Sequence, residues 1–360
     1  MKKIKVAVLF GGKSAEHEVS IQSAKNVVTS LDKDTYEVIL IGIDQKGDWH
    51  VCPPKYLLSA SFSHQAMLPE SDEVSFITKS GGNNLITTSG QGNIGTVDVV
   101  FPVLHGPYGE DGSMQGLLKL ADVPFVGSGV LGSAVGMDKD VSKRLLRDAG
   151  LPVSNFLVFH KSDDVSFDKI EEELGLPFFV KPANLGSSVG VSKVKNKEQF
   201  QDAIKEAFLY DVKIIVEQSI EGREVECSVL GNDTPIASVA GEIKASHEFY
   251  DYDAKYLDEN GAVMKIPADL SPEKMKEIQE LAIKVFKTLC LQGMARIDFF
   301  YTPEGKFFVN EANTIPGFTN ISMYPKLWEA SGLSYPELIG KLIQLAIERH
   351  KQEKELKSSR

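Results

Sequence analysis

The chain has 360 residues, too many for one ordinary core and suited to two or three packed units. Its 42% hydrophobic and 25% charged residues exclude disorder as the default, and a net charge of −11 argues against nucleic acid as a partner. Three widely spaced cysteines (Cys52, Cys227, Cys290) with no CxxC pattern argue against a disulfide framework or a structural zinc site.

In chain order, Ile4 to Phe10 is a short β-rich run that Gly11-Gly12 break, and it reads as a buried strand rather than a signal peptide. Ser14 is placed to cap a helix whose Ile21, Ala24, Val28 and Leu31 recur at helical spacing, and Tyr36 to Ile43 is a second strand. This β–Gly turn–α–β opening predicts an open parallel α/β sheet. Residues 44 to 96 are polar and turn-rich, with a hairpin around Gly81-Gly82-Asn83. Val97 to Leu104 is a further strand, followed by a loop from His105 to Gly112, a helix from Met114 to Leu120 and a short strand from Pro124 to Val126. A second unit then opens near Gly127, with a helix from Lys139 to Ala149, a strand at 156–159, a helix at 168–174, a strand at 177–181 and a helix at 198–208. A third unit carries strands at 213–217, 224–231, 235–243, 294–301 and 306–312 and a helix at 272–289. The last helix opens on Ser334-Tyr-Pro-Glu337, a capping box with proline in the first turn, and the polar tail after Arg349 is expected to fray. The expected units are 1–126, an open parallel α/β domain, then 127–212 and 213–360, both α+β. No apolar run reaches the ~18 residues that a spanning helix needs, so the expected setting is the cytoplasm, away from membranes.

Several constellations carry chemistry. Lys181 sits in an apolar strand, where an unpaired ammonium is costly and an anion is the simplest remedy. The loop that follows, Pro182 to Gly190 with Gly186, Ser187 and Ser188, supplies N–H groups and hydroxyls that can cover phosphates, although its glycines alone read equally well as a turn. It is neither a Walker A motif nor a GxGxxG, and Gly11-Gly12 do not supply the latter for a nicotinamide-dependent oxidoreductase. Arg296 and Asp298 share one face of a strand, and Glu311 and Asn313 one face of the next. The short connection between them predicts an antiparallel hairpin, so hard oxygens suited to magnesium converge beside a guanidinium, the bland alternative being cross-strand salt bridges. Pro316-Gly317 ends that strand and frees N–H groups able to stabilise an oxyanion. The aromatic and charged run Phe249 to Tyr256 reads as a lid or as a peripheral strand. Glu16 reads alone as a helix-dipole partner, and His105, at the carboxyl end of a strand, as a ligand contact or a structural histidine.

Taken together in this order, Gly11 through Ser20, His105 through Gly112, Met137-Asp-Lys139, Lys181 through Gly190, Tyr250 through Tyr256, Arg296-Ile-Asp298 and Asn310 through Gly317 resemble the ATP-grasp superfamily and, within it, the D-alanine–D-alanine ligases. The resemblance implies an N-terminal α/β domain and two ATP-grasp α+β domains. It also implies ATP-dependent joining of two D-alanines through a D-alanyl phosphate, for peptidoglycan and cell shape; related enzymes use D-lactate or another amine. It implies ATP, two magnesium or manganese ions held by Asp298, Glu311 and Asn313, and a homodimer. It places Lys139 and Lys181 on the nucleotide's phosphates, with Ser187 and Ser188 covering them, and puts Phe249 and Lys255 among the ATP contacts. Glu217, Ser219 and Ile220 fall at the adenine and Glu224 at the ribose. Glu16 and His105 meet the first D-alanine, Lys255 and Ser322 the second, and Arg296 and Gly317 the oxyanion. Tyr256 bonds Ser187 and Glu16 to close the site, and its presence favours the dipeptide over an ester. An intact Arg296, Asp298, Glu311 and Asn313 argue against a noncatalytic nucleotide-binding protein.

Overall fold

The computed structural model describes residues 2–54, 57, 73–77, 84–87, 93–245 and 262–357. Strand β1 (Ile4–Gly11) is apolar on both faces because it is central: Val6 to Phe10 are fully buried. It is followed by β2 (Tyr36–Ile43), β3 (Trp49–Cys52), β4 (Val74–Ile77), β5 (Asn84–Thr87), β6 (Asn93–Thr96) and β7 (Val99–Val103). The first sheet has the order β3-β2-β1-β7, with β2 and β7 parallel to β1 and β3 antiparallel at the edge. The expected open parallel sheet is present. Strands β4, β5 and β6 form a small antiparallel sheet of their own; the turn at Gly81-Gly82-Asn83 lies outside the described residues.

Strands β8 (Phe156–His160), β9 (Phe178–Pro182), β10 (Ser192–Val194) and β11 (Lys213–Gln218) make a middle sheet in the order β10-β9-β11-β8. Alternation divides β9 and β11. Phe178, Val180, Ile214 and Val216 pack into a core with Phe167, Ile170 and Phe200 from the helices Phe167–Leu174 and Lys197–Tyr210, which leaves Lys181 and Glu217 on the opposite face. Lys213–Gln218, read from sequence as the start of the third unit, therefore belongs to the middle sheet. Strands β12 (Arg223–Gly231), β13 (Ile236–Ala245), β14 (Ala262–Lys265), β15 (Gly293–Tyr301) and β16 (Phe307–Asn313) form the last sheet, in the order β14-β13-β12-β15-β16. The helix Pro272–Thr288 covers one face of this sheet; Ser271 caps it, accepting from Lys274 N at 3.3 Å, and Pro272 fills its first turn.

Four local readings are corrected. Pro124–Val126 makes only an isolated bridge, Phe125 to Val100, and no strand. The first helix runs His17–Ser30, so Ser14 lies too far upstream to cap it; its Oγ accepts instead from Glu16 N at 3.1 Å. The tail after Arg349 continues the helix Tyr335–Glu355: Arg349 donates to the carbonyls of Gly127 and Phe125, and Lys354 pairs with Asp122 at 2.7 Å. The helix Val130–Met137 was not anticipated. It lies against the turn before β15 closely enough that a Cβ on Gly132 would sit 2.5 Å from Cys290 O, which only glycine permits.

The core of the first unit also takes residues from the far end of the chain. Ile315, Phe318, Tyr324, Leu338, Leu342 and Ile343 join Val6, Val8, Phe10 and Phe101, and the Phe318 ring meets Phe101 edge-on at 5.8 Å. The segment after β16 is thereby anchored to the N-terminal unit.

Candidate active site

Register places the charged residues of the last sheet. On β15, Arg296 faces Asn313 of β16 and Asp298 faces Glu311, while on the other side Asp298 faces Glu226 of β12. Three carboxylates thus stand in a row across three strands, an arrangement that like-charge repulsion disfavours. Arg296 partly offsets it. Its guanidinium donates to both oxygens of Asp298 at 2.7 Å and its Nε lies 2.9 Å from Glu226 Oε2. Asn313 Nδ2 donates to Asp298 Oδ2 at 2.9 Å. Burial works against the charge on Arg296, but Asp298 and Glu226 outweigh it and keep the guanidinium protonated.

These residues form one wall of a pocket whose other walls come from far along the chain. Glu16, His105, Glu110, Gly186, Ser187, Glu224, Gly317 and Ser322 line it together with Arg296, Asp298, Glu311 and Asn313. A Cβ on Gly106 would lie 3.3 Å from Glu16 Oε2, and one on Gly186 would lie 3.7 Å from it, so the Glu16 carboxylate sits between the loop after β7 and the Gly/Ser loop. His105 is buried; its Nδ1 is 3.0 Å from Ile315 O and its Nε2 3.4 Å from Ser23 Oγ. Burial lowers its pKa against the opposing pull of Glu16. Ser187 and Ser188 both adopt positive φ (53° and 58°), a conformation uncommon outside glycine that holds the loop in a tight coil. Ser322 Oγ accepts from Thr319 N at 2.9 Å, and a Cβ on Gly317 would lie 2.7 Å from it, so any larger residue there would displace the Ser322 hydroxyl.

Lys139, Lys181, Ser188, Glu217, Ser219 and Ile220 are not on this pocket's lining. Lys139 Nζ donates to Leu185 O at 2.6 Å and lies 3.6 Å from Glu311, joining a helix N-terminus to the Gly/Ser loop and to β16. The anion that Lys181 requires is supplied by the protein: its Nζ is 2.6 Å from Glu217 Oε2. Glu217 Oε1 is 2.7 Å from Nζ of Lys143 and accepts from Ser154 Oγ at 3.2 Å. Burial alone would raise the Glu217 pKa, but the two lysines hold it well below the usual carboxylate range. Both Glu217 oxygens are engaged, so any adenine contact would have to use a lone pair that remains. Ser219 N bonds Pro177 O at 3.3 Å. Phe249, Lys255 and Tyr256 lie outside the described residues.

Sequence reasoning missed Lys143, Glu226, Glu110 and Ser23. Glu110 Oε2 accepts from Gly106 N at 2.7 Å and Oε1 from Ile315 N at 2.8 Å. Burial, with Glu16 adding, pushes its pKa up to about 8. A loop acid in the His105–Gly112 motif was visible, but not its partner some two hundred residues away.

A divalent cation fits this wall. Six carboxyl side chains (Glu16, Glu110, Glu224, Glu226, Asp298, Glu311) line the pocket against one guanidinium, and three of them face one another across the sheet. A polyphosphate cannot approach such a surface unless cations intervene. Among the described residues no group of three or more His, Cys, Asp or Glu is placed to hold a metal ion by itself. Magnesium needs none, since phosphate oxygens and water complete its shell.

Comparison with known proteins agrees with this arrangement. The family models for the D-ala D-ala ligase N-terminus and C-terminus match residues 5–128 and 145–344. The D-alanine--D-alanine ligase of Oceanobacillus iheyensis is 53% identical over 364 residues, covering 100% of this chain and 99% of that protein. D-alanine--D-alanine ligase A of Escherichia coli K12 is 53% identical over 363 residues, covering 100% of both. The solved D-alanine-D-alanine ligase of Coxiella burnetii superposes with a TM-score of 0.88 at 42% identity, covering 99% of this chain and 97% of that one. The VanG D-Ala:D-Ser ligase of Enterococcus faecalis superposes at 0.86 with 38% identity, covering 96% and 100%. With both family models matched and half its residues shared over its full length, the chain belongs to the D-alanine–D-alanine ligase family, ATP-dependent ligases of the ATP-grasp fold.

Proposed function

We infer that this protein joins two D-alanines to D-alanyl-D-alanine, with hydrolysis of ATP to ADP and phosphate through a D-alanyl phosphate, the step that supplies the dipeptide to peptidoglycan. The observation that carries this reading is the joint lining of one pocket by Glu16, Arg296, Asp298, Glu311 and Gly317 in a chain of this family. A carboxylate lacks a leaving group, and phosphorylation supplies one, so the site's tasks are positioning and charge neutralisation.

Glu16 holds the ammonium of the first D-alanine, with His105 beside its carboxylate. Lys139 and Lys181 meet the nucleotide's phosphates under the Ser187-Ser188 turn; Glu217, Ser219, Ile220 and Phe249 border the adenine, and Glu224 the ribose. Asp298, Glu311 and Asn313 would hold magnesium (or manganese), which when bound screens phosphate charge. Once the acyl phosphate has formed, the amine of the second D-alanine attacks its carbonyl. Ser322 and Lys255 hold that substrate's carboxylate, and Arg296 with the Gly317 N–H faces the oxyanion that develops. Tyr256 closes the site with Ser187 and Glu16.

Three units remain the proposed organisation, with the second boundary placed after Gln218 rather than at 212 because Lys213–Gln218 pairs within the middle sheet. A homodimer in the cytoplasm is the expected state. No described helix is long and apolar enough to cross a membrane.

The test is direct. The protein is incubated with ATP, magnesium and D-alanine, and phosphate and product are measured. Stoichiometric phosphate and D-alanyl-D-alanine are expected. Phosphate release that requires D-lactate or D-serine as second substrate would replace this reading with that of another ligase, and ATP turnover indifferent to D-alanine would end it.

A further inference from the structure

The turn that follows β16 presents its backbone to the pocket, and the N-terminal unit grips it on both sides of Pro316-Gly317. On one side, Ile315 is held through both ends of its backbone: its N–H donates to Glu110 Oε1 at 2.8 Å and its carbonyl lies 3.0 Å from His105 Nδ1. On the other side, Phe318 N donates to Ser23 Oγ at 3.2 Å, and its carbonyl accepts from Asn26 Nδ2 at 3.0 Å and the Tyr335 hydroxyl at 2.8 Å. Between them Pro316 has no N–H to offer. Among the described residues no protein acceptor takes the N–H of Gly317, so the clamp singles out one donor of this turn and leaves it on the pocket wall.

We infer that Glu110 is a positioning residue that sets the Gly317 donor by pinning the Ile315 peptide to the N-terminal loop. The Glu110 carboxyl group suits the task because each of its two oxygens meets a backbone N–H. One takes Gly106 N at 2.7 Å, anchoring the side chain to its own loop, and the other takes Ile315 N. A glutamine of the same shape has one acceptor and would turn an NH2 group against one of these N–H donors. Glu110 touches no reacting atom; it acts through Ile315. The consequence is that the first D-alanine's binding loop and the oxyanion donor form one rigid piece, although they come from opposite ends of the chain. A displacement of the order of 1 Å at such a donor costs up to about 100-fold in rate.

The role presupposes the ligase reading. A wild type that makes no dipeptide sinks that reading, whereas an active wild type with unaffected variants sinks only the clamp. The experiment compares Glu110→Gln with wild type in steady-state dipeptide synthesis, with urea unfolding measured in parallel. The expected result is a kcat lower by roughly 10- to 100-fold, with KM for ATP within about twofold. If Glu110→Gln unfolds at clearly lower urea, Glu110→Asp decides. It keeps the carboxyl group but spans only one of the two N–H groups, and the same kcat loss at unchanged KM for ATP is expected. A kcat within twofold of wild type in a folded variant, or an equal decline of kcat and ATP affinity, would overturn the assignment.

Discussion

Replacing Glu217 by Gln should cost more than replacing Lys143, one of its two cations. Glu217 and Lys143 are both almost fully buried, with side chains 4% and 2% exposed, and Lys181 is 15% exposed. Glu217→Gln leaves one acceptor oxygen for two ammonium groups and turns an NH2 toward the other; if Lys143 is the one left out, it keeps only Ser154 Oγ at 3.3 Å and Val309 O at 3.5 Å. Removing one partner of a buried pair costs about 3–5 kcal/mol. Lys143→Met keeps the volume and leaves Glu217 bonded to Lys181 and Ser154, so only one charged hydrogen bond is lost, about 2 kcal/mol. The assay is urea unfolding, read as a midpoint shift at constant m. The pH dependence has a definite sign. The folded pKa of Glu217 lies below the unfolded value of about 4.5, so its stabilisation is complete at neutral pH and fades as pH falls below about 4.5. The gap between wild type and Glu217→Gln should shrink there. A Lys143→Met penalty equal to or above that of Glu217→Gln, or a Glu217→Gln penalty under about 1 kcal/mol, would refute the account of a shared carboxylate.

Asp298→Asn should lower kcat by roughly 100-fold or more while unfolding changes by less than about 2 kcal/mol, because Arg296 retains Glu226 at 2.9 Å; magnesium-titrated turnover beside urea unfolding checks this, and full activity would dismiss the metal assignment. Gly132→Ala should destabilise by about 1–3 kcal/mol in the same unfolding assay, since its Cβ would meet the Cys290 carbonyl at 2.5 Å. Tyr256→Phe should raise the share of ester when D-lactate competes with D-alanine, measured by product analysis; an unchanged ratio would remove the basis for reading specificity from this residue.

What the sequence revealed was what short periods encode. The buried run of β1 and the two-residue alternation of Arg296-Asp298 and Glu311-Asn313 need only neighbours along the chain, and the short Thr302–Lys306 connection fixes their pairing. The partners of these residues were hidden because they are set by the register of other strands. Glu226 is brought opposite Asp298 by the pairing of β12 with β15. Lys143 stands in Lys-Asp-Val-Ser-Lys-Arg, which looks like a solvated face, and its burial depends on Glu217 arriving from another strand. The helix Val130–Met137 was missed because its two glycines weaken any helical signal, and they are there to let it approach β15 and β16. The inference that Lys181 needs an anion was sound physics, but burial says only that a charge is balanced and does not say by what.

That balance bears on how the substrates orient. Lys143 and Lys181 share the Glu217 carboxylate in a buried place, and Lys139 stands beside the Gly/Ser loop. The neighbouring pocket is lined by acidic side chains, Glu16 among them, and a single guanidinium. Burial lowers the Lys143 pKa overall; Glu311, 3.6 Å from Lys139, works against that and also favours the charged form of Lys181. In the proposed reaction a polyphosphate would be drawn to the lysines and an ammonium to Glu16, so a zwitterionic amino acid would enter with its carboxylate toward the phosphates, the orientation that phosphoryl transfer to that carboxylate requires.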